Sequence, residues 1–269
     1  MSELYKINYH LTEYCNFHCK FCFAKYEKEK LCFAEQMKVI KNISECGLFD
    51  AINFAGGEPL LDKNISSLIR YAKNLGLKVS IITNGYLLND VLLNDILPYL
   101  DMIGISVQSA NEERKIEIGC CTTNNKTLTN ERLLEICKTI KEKKPSCLLK
   151  INSVVCSVNY DEELKSFIEK INNVDKWKCF KCQAFQNNKA MCVSKNEYER
   201  FKKNNDVKFT KQVFEEDMKS SYIMVNPSGE LIKPSSNTYE VIGSLLKGDI
   251  NSMIEELKLD MGEYERRYA

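Results

Sequence analysis

The chain has 269 residues with 13 cysteines, 2 histidines, 1 tryptophan and a formal net charge of +1. Charge this close to zero excludes a nucleic-acid binder held mainly by phosphate neutralisation, and so few histidines exclude a multi-histidine metal site. No apolar run reaches the ~18–20 residues of a membrane helix. The N-terminal Met1-Ser2-Glu3-Leu4-Tyr5-Lys6 lacks a basic-then-apolar signal, which predicts a soluble cytoplasmic protein that binds no membrane.

In chain order, strand-like apolar runs fall at residues 4–11, 51–55, 77–83, 102–107, 147–155 and 177–185. Helical spacing lies between them, as in Phe33, Met37, Ile40 and Ile43, or Leu133, Ile136, Cys137 and Ile140. Asp62, Asn130, Asp161 and Ser194 are the expected N-caps, Ser194 forming a capping box with Glu197. Gly47 and Gly76 stand where helices should stop. Strand–helix units in series predict an α/β fold, a parallel sheet with outer helices rolled fully or partly into a barrel. Chemistry in such folds sits at the carboxyl ends of the strands.

The pattern changes from about residue 186. A charged helix over 194–203, a strand over 221–226 and a turn at Asn226-Pro227-Ser228-Gly229 follow. The expected organisation is a core of residues 1–185 with a C-terminal extension, 186–269, capping the substrate site within the same compact domain.

An odd number of cysteines, irregularly spaced outside one tight group, argues against a disulfide framework. That group is Cys15-Asn16-Phe17-His18-Cys19-Lys20-Phe21-Cys22, directly after the first strand. Thiolates are soft ligands for zinc or iron–sulfur clusters. Zinc would need His10 or His18 as a fourth ligand, whereas structural zinc usually pairs two short motifs; the group favours iron–sulfur.

The spacing of three residues and then two, with aromatic Phe21 before the last cysteine, resembles that of the radical S-adenosylmethionine (SAM) enzymes. The resemblance implies one 4Fe–4S cluster on Cys15, Cys19 and Cys22, with an open iron that chelates the amino and carboxylate groups of SAM. Reductive cleavage of SAM then gives methionine and a 5′-deoxyadenosyl radical. Gly56-Gly57-Glu58 after the second strand matches that superfamily's motif for the SAM amino group. Thr83, Asn84 and Ser106 stand where it contacts the SAM ribose and carboxylate, and Phe21 joins these contacts. The implied fold is a partial (βα)6 radical-SAM barrel.

A closer resemblance covers residues 5 to 232. Asn8-Tyr9-His10, Ile52-Asn53-Phe54, Lys150-Ile151-Asn152-Ser153-Val154, Trp177-Lys178 and Ser221-Tyr222 together resemble the viperin family in its prokaryotic form. It implies a radical lyase that converts a nucleoside triphosphate into its 3′-deoxy-3′,4′-didehydro analogue, a polymerase chain terminator used in antiviral defence. Lys150 and Lys178, near the barrel mouth, would bind the triphosphate together with Asn8 and with Arg267 or its neighbour Arg266; Mg2+ would accompany the phosphates. Asn152 would contact SAM, and Tyr222 would donate the last electron and proton. CTP or UTP is the weakly favoured substrate, with GTP admitted, a flavodoxin or ferredoxin the implied reductant, and a monomer the expected state. No Walker loop replaces the lysines: Asp249 follows Gly243-Ser244-Leu245-Leu246-Lys247-Gly248 where that motif needs lysine.

The chain departs from animal viperins at two cations, with Ala51 in place of a lysine and Cys120 in place of an arginine. Cys179-Phe180-Lys181-Cys182 with Cys192 leaves open a peptide-modifying radical enzyme with an auxiliary cluster. Residues three apart on a strand point to opposite faces, which disfavours it. A non-enzymatic iron–sulfur or zinc protein is the remaining alternative.

Overall fold

The computed structural model of the chain describes residues 5–216, 221–235 and 238–268, with side chains to 266 in the last stretch. The elements run β1 (Tyr5–His10), α1 (Phe33–Glu45), β2 (Phe49–Ala55), α2 (Ile65–Asn74), β3 (Lys78–Thr83), α3 (Asp90–Ile96), β4 (Met102–Ser106), α4 (Glu112–Ile118), α5 (Asn130–Lys143) and β5 (Leu148–Val155). They continue through α6 (Lys165–Lys170), β6 (Lys176–Lys181), α7 (Lys195–Asn204), β7 (Lys211–Glu215), β8 (Ile223–Val225), β9 (Glu230–Ser235), β10 (Thr238–Ser244), α8 (Ile250–Leu257) and α9 (Met261–Tyr268).

Two compact units emerge, one of Met1–Tyr14, Ala24–Ile81 and Met218–Ala269, the other of Cys15–Phe23 and Ile82–Asp217. In the first, β1 lies between β2 and β8, parallel to both, and β3 pairs parallel with β2. The antiparallel pairs β8–β9 and β9–β10 extend it. In the second, β4, β5, β6 and β7 pair in that order, all parallel.

Period-two alternation gives the strands of each unit an apolar and a polar face. Ile7, Tyr9, Ile52, Phe54, Val79 and Ile81 are fully buried in the first unit, as are Val39, Ile40, Ile43, Leu68 and Ile69 of α1 and α2. The second unit buries Ile103, Ile105, Leu149, Ile151, Trp177 and Cys179, with Leu133, Ile136, Cys137 and Ile140 from α5. Each such aliphatic or aromatic side chain contributes about 1.5–3 kcal/mol on leaving water. The alternate positions, Asn8, Asn53 and Ser80 or Lys150, Asn152 and Lys178, form the polar faces.

Helix boundaries follow the expected chemistry in part. Ser194 and Glu197 form their capping box, and Gly47 and Gly76 follow α1 and α2 with φ of 75° and 85°. Three caps fall elsewhere. Asp62 precedes the cap of α2, accepting from Asn64 N at 2.9 Å, because its carboxylate is drawn to Lys30 at 2.8 Å and to the Gln36 amide. Thr129, not Asn130, caps α5, while Asn130 Oδ1 accepts from Lys115 Nζ at 2.8 Å. Asp161 lies in a turn ahead of α6, paired with Arg114 at 2.8 Å. The sixth strand ends at Lys181 rather than 185, where the chain turns off towards residue 188.

Candidate active site

The cysteine loop belongs to the second unit and is held from several directions. His18 N donates to Gly119 O at 3.1 Å and Lys20 N to Ile118 O at 2.9 Å. Gly119, at the end of α4, has φ of 88°, and a Cβ there would stand 2.5 Å from His18 O. Only glycine admits this approach. Asn188 Nδ2 donates to Phe21 O at 3.1 Å, and the Phe17 and Tyr86 rings meet edge to face at 5.5 Å. Asn84 Nδ2 bonds Asn16 Oδ1 at 2.8 Å and points at Cys15 Sγ at 3.7 Å.

Cys15, Cys19 and Cys22 are thiols outside any disulfide, Cys15 exposed and the other two half-buried. Three thiols within eight residues are the donor set of an iron–sulfur cluster, and N–H donors such as Asn84 suit anionic sulfur. Among the described residues no three His, Cys, Asp or Glu side chains close on a single ion, and a cube with thiolates on separate corners does not ask for that. His10 is turned away into a buried bond, its Nδ1 2.5 Å from Tyr26 Oη. Burial lowers its pKa to about 4, so the ring is neutral. His18 Nε2 instead lies 3.7 Å from Cys121 Sγ.

In the first unit, Gly57 N donates to Thr12 O at 2.7 Å and Glu58 N to Tyr14 O at 2.8 Å. A Cβ on Gly56 would meet Thr12 O at 2.4 Å, and one on Gly57 would meet Tyr14 O at 2.3 Å. The glycines therefore admit the backbone of residues 12–14, the segment leading into Cys15, and not a ligand alone. Glu58 is fully buried, and its Oε1 accepts from Leu60 N at 3.0 Å, capping the short turn Pro59–Leu61. Asn8 sits in a chain of amides. It donates to Ile223 O at 3.1 Å and accepts from Asn53 Nδ2 at 3.1 Å, while Asn53 Oδ1 takes Ser80 Oγ at 2.9 Å. Tyr222, half-buried, precedes the Ile223 that this chain grips.

The polar face of the second unit carries more charge than the motifs predict. Lys150, Lys176 and Lys211 stand in register across β5, β6 and β7, with Asn152 beside Lys178 in the next row. Burial lowers the Lys176 pKa, and Lys211 lowers it further by repulsion. Lys178 is buried against Glu215, Nζ to Oε1 2.9 Å. Lys150 and Lys178 are each the third residue of their strands. They lie in the amino halves, not at the mouth, because motif order says nothing about depth along a strand. Asn152 Oδ1 is buried without a hydrogen-bond partner, an acceptor that fits SAM as its donor. Its register neighbour Ser106 is half-buried, and Thr83 Oγ1 accepts from Gly85 N at 3.0 Å.

The remaining candidates are placed as follows. Cys179 is fully buried on the apolar face, whereas Cys182 packs with Cys156, Cys192 and Met191 near Phe17; they share no ligand position. Arg266 bonds Glu263 at 2.6 Å, and the Arg267 side chain lies outside the described residues. α9 is anchored at the start of β1, where Lys6 N donates to Tyr264 Oη at 2.5 Å. Lys176, Lys211, Glu215 and Gly119 carry no motif; only strand register and the long-range approach of two loops expose them.

Comparison with known proteins adds a family. The radical SAM superfamily matches residues 9–171. The S-adenosylmethionine-dependent nucleotide dehydratase of Selenomonas ruminantium is 34% identical across 98% of this chain and 99% of its own length. The S-adenosylmethionine-dependent nucleotide dehydratase RSAD2 of Oncorhynchus mykiss is 33% identical, over 72% of this chain and 56% of its own. The solved structure of native anSMEcpe with bound AdoMet and Kp18Cys peptide aligns with a TM-score of 0.71 at 15% identity, over 96% of this chain and 82% of that one. That likeness shows the fold, the α/β partial barrel of radical SAM proteins. The family implies one 4Fe–4S cluster and SAM. With the cysteine loop, the Gly-Gly-Glu turn and this extent of identity in place, the chain belongs to the radical SAM superfamily and to its S-adenosylmethionine-dependent nucleotide dehydratases.

Proposed function

We propose that the chain dehydrates a ribonucleoside triphosphate to its 3′-deoxy-3′,4′-didehydro analogue, a chain terminator for antiviral defence. The observation that carries this reading is the lysine-bearing face of β5, β6 and β7, a polycationic surface inside a radical SAM unit. Cys15, Cys19 and Cys22 would hold the cluster; Glu58, with Gly56 and Gly57, the SAM amino end; and Phe21, Thr83, Asn84, Ser106 and Asn152 the rest of SAM. The cluster and SAM, held by these residues, would supply radical chemistry directed at the ribose 4′ hydrogen.

The chain's own residues do the rest. Lys150 and Lys178 neutralise the triphosphate, with Lys176 and Lys211 adding charge, Arg267 a further cation and Mg2+ accompanying the phosphates. Asn8 orients the ribose or phosphate through the amide row that fixes it. Tyr222 gives the proton that leaves with the 3′ hydroxyl as water and the electron that completes the alkene. Packing of Phe17, Phe21 and Met191 around the cysteine loop excludes water.

A pyrimidine nucleotide is the proposed substrate, a flavodoxin or ferredoxin the reductant, and a cytoplasmic monomer the working form. The peptide-modifying alternative gains nothing from the fold, since Cys179 and Cys182 face opposite ways. The test incubates reduced, reconstituted protein with SAM and each of the four ribonucleoside triphosphates. Mass spectrometry should find 5′-deoxyadenosine together with a nucleotide lighter by one water. Deoxyadenosine release that no nucleotide stimulates would reject the assignment.

A further inference from the structure

Cys19 Sγ lies 3.6 Å from Cys120 Sγ. The pair is created by the fold: the bonds from His18 N and Lys20 N to residues 119 and 118 clamp the backbone of Cys19 against Cys120. The bare Cα of Gly119 lets the strands of loop close to van der Waals contact. Cys120 is 6% exposed, and Phe17, Ile118, Cys156, Cys182 and Met191 surround it. A disulfide needs its sulfurs at about 2.0 Å, a closure that rotation of two side chains across an existing contact supplies. Cys15 Sγ is engaged with Asn16 and Asn84.

We propose that Cys19 and Cys120 form a reversible disulfide in the metal-free protein, an oxidation site that takes one cluster ligand out of service and protects it. The oxidant class is a peroxide, small enough to enter an apolar pocket. One thiol is oxidised to a sulfenic acid as the peroxide O–O bond breaks and water leaves. The second thiol attacks that sulfur, forming the S–S bond and releasing a second water, so two thiols and one hydrogen peroxide give one disulfide and two waters. A dithiol restores both thiols by exchange. Without the partner at residue 120, a second peroxide takes the Cys19 sulfenic acid to sulfinic acid with release of another water, and dithiols do not reverse that product. The consequence for cluster loading rests on the reading of Cys19 as a cluster ligand; the bond itself does not.

The test treats metal-free protein with one equivalent of hydrogen peroxide, alkylates the remaining thiols, digests the chain and maps disulfides by mass spectrometry. The expected product is a peptide joining Cys19 to Cys120 that disappears with dithiothreitol. Iron loading should be lost before reduction and recovered after it. In Cys120→Ser, two or more equivalents of peroxide should abolish loading in a way dithiothreitol does not recover, whereas the unaltered chain given the same dose recovers. Should that variant misfold, the mapping on the unaltered chain decides alone. Cys19 joined to Cys15 or Cys22, or Cys120 fully alkylated, overturns the proposal. A separate arm counts iron in Cys19→Ala: normal loading there removes Cys19 from the cluster while leaving the disulfide map to stand or fall by itself.

Discussion

Lys178 Nζ and Glu215 Oε1 lie 2.9 Å apart, with both side chains buried. Breaking a buried ion pair by removing one partner costs about 3–5 kcal/mol, so Glu215→Ala should destabilise the fold by that order in urea unfolding. The double change Lys178→Met with Glu215→Leu should recover most of the stability. It should not recover nucleotide affinity, measured by calorimetry on the same protein. Full recovery of both would make the pair structural only.

The row Lys150, Lys176 and Lys211 sets like charges side by side, and Lys211 repels Lys176. Lys211→Ala should remove that repulsion and raise the Lys176 pKa. It should weaken triphosphate binding roughly 3–5-fold, with less salt dependence than the parent. Unaltered affinity at low salt would remove Lys211 from the substrate surface.

Gly57 and Gly119 are two positions where backbone passes too close for a side chain. A methyl group would lie 2.3 Å from Tyr14 O in one case and 2.5 Å from His18 O in the other. Each Gly→Ala change should cost about 3 kcal/mol. Each should also lower the iron retained after gel filtration, because both contacts shape the cysteine loop or its lead-in. Normal iron content with normal stability would contradict the argument.

His10 gives a pH signature. Its pKa falls from 6.5 to about 4 on folding, so the unfolded chain binds more protons between those values. Stability should then fall as pH drops from 6.5 to 4, by about 3 kcal/mol from this group. His10→Gln should flatten that segment of the stability curve. Parallel curves for parent and variant would show that the ring is not held neutral.

Much of this was legible before any coordinates, for physical reasons that differ by region. The first six strands alternate apolar and polar residues or form apolar runs, and five of them both begin and end within two residues of expectation. The cysteine loop is local, so its spacing alone carried its chemistry. β7 and the β9–β10 pair escaped notice because Lys211–Glu215 and Thr238–Ser244 are polar strands, stabilised by pairing with a neighbour. Cys120 and Cys19 are a hundred residues apart in sequence, and only the left-handed Gly119 brings them together. Lys176 and Lys211 become meaningful through register, which a list of motifs does not contain. Glu58 shows the reverse case: its motif points to a ligand contact, yet part of its hydrogen bonding serves the turn that carries it.

The central claim concerns one hydrogen atom. Reduced, cluster-loaded protein should be given SAM and a ribonucleoside triphosphate deuterated at C4′, one nucleotide at a time. The account predicts that 5′-deoxyadenosine gains one deuterium with the preferred nucleotide, and that the nucleotide product retains none and has lost its 3′ hydroxyl as unlabelled water. Deoxyadenosine formed in quantity without deuterium from any of the four would contradict abstraction at that carbon.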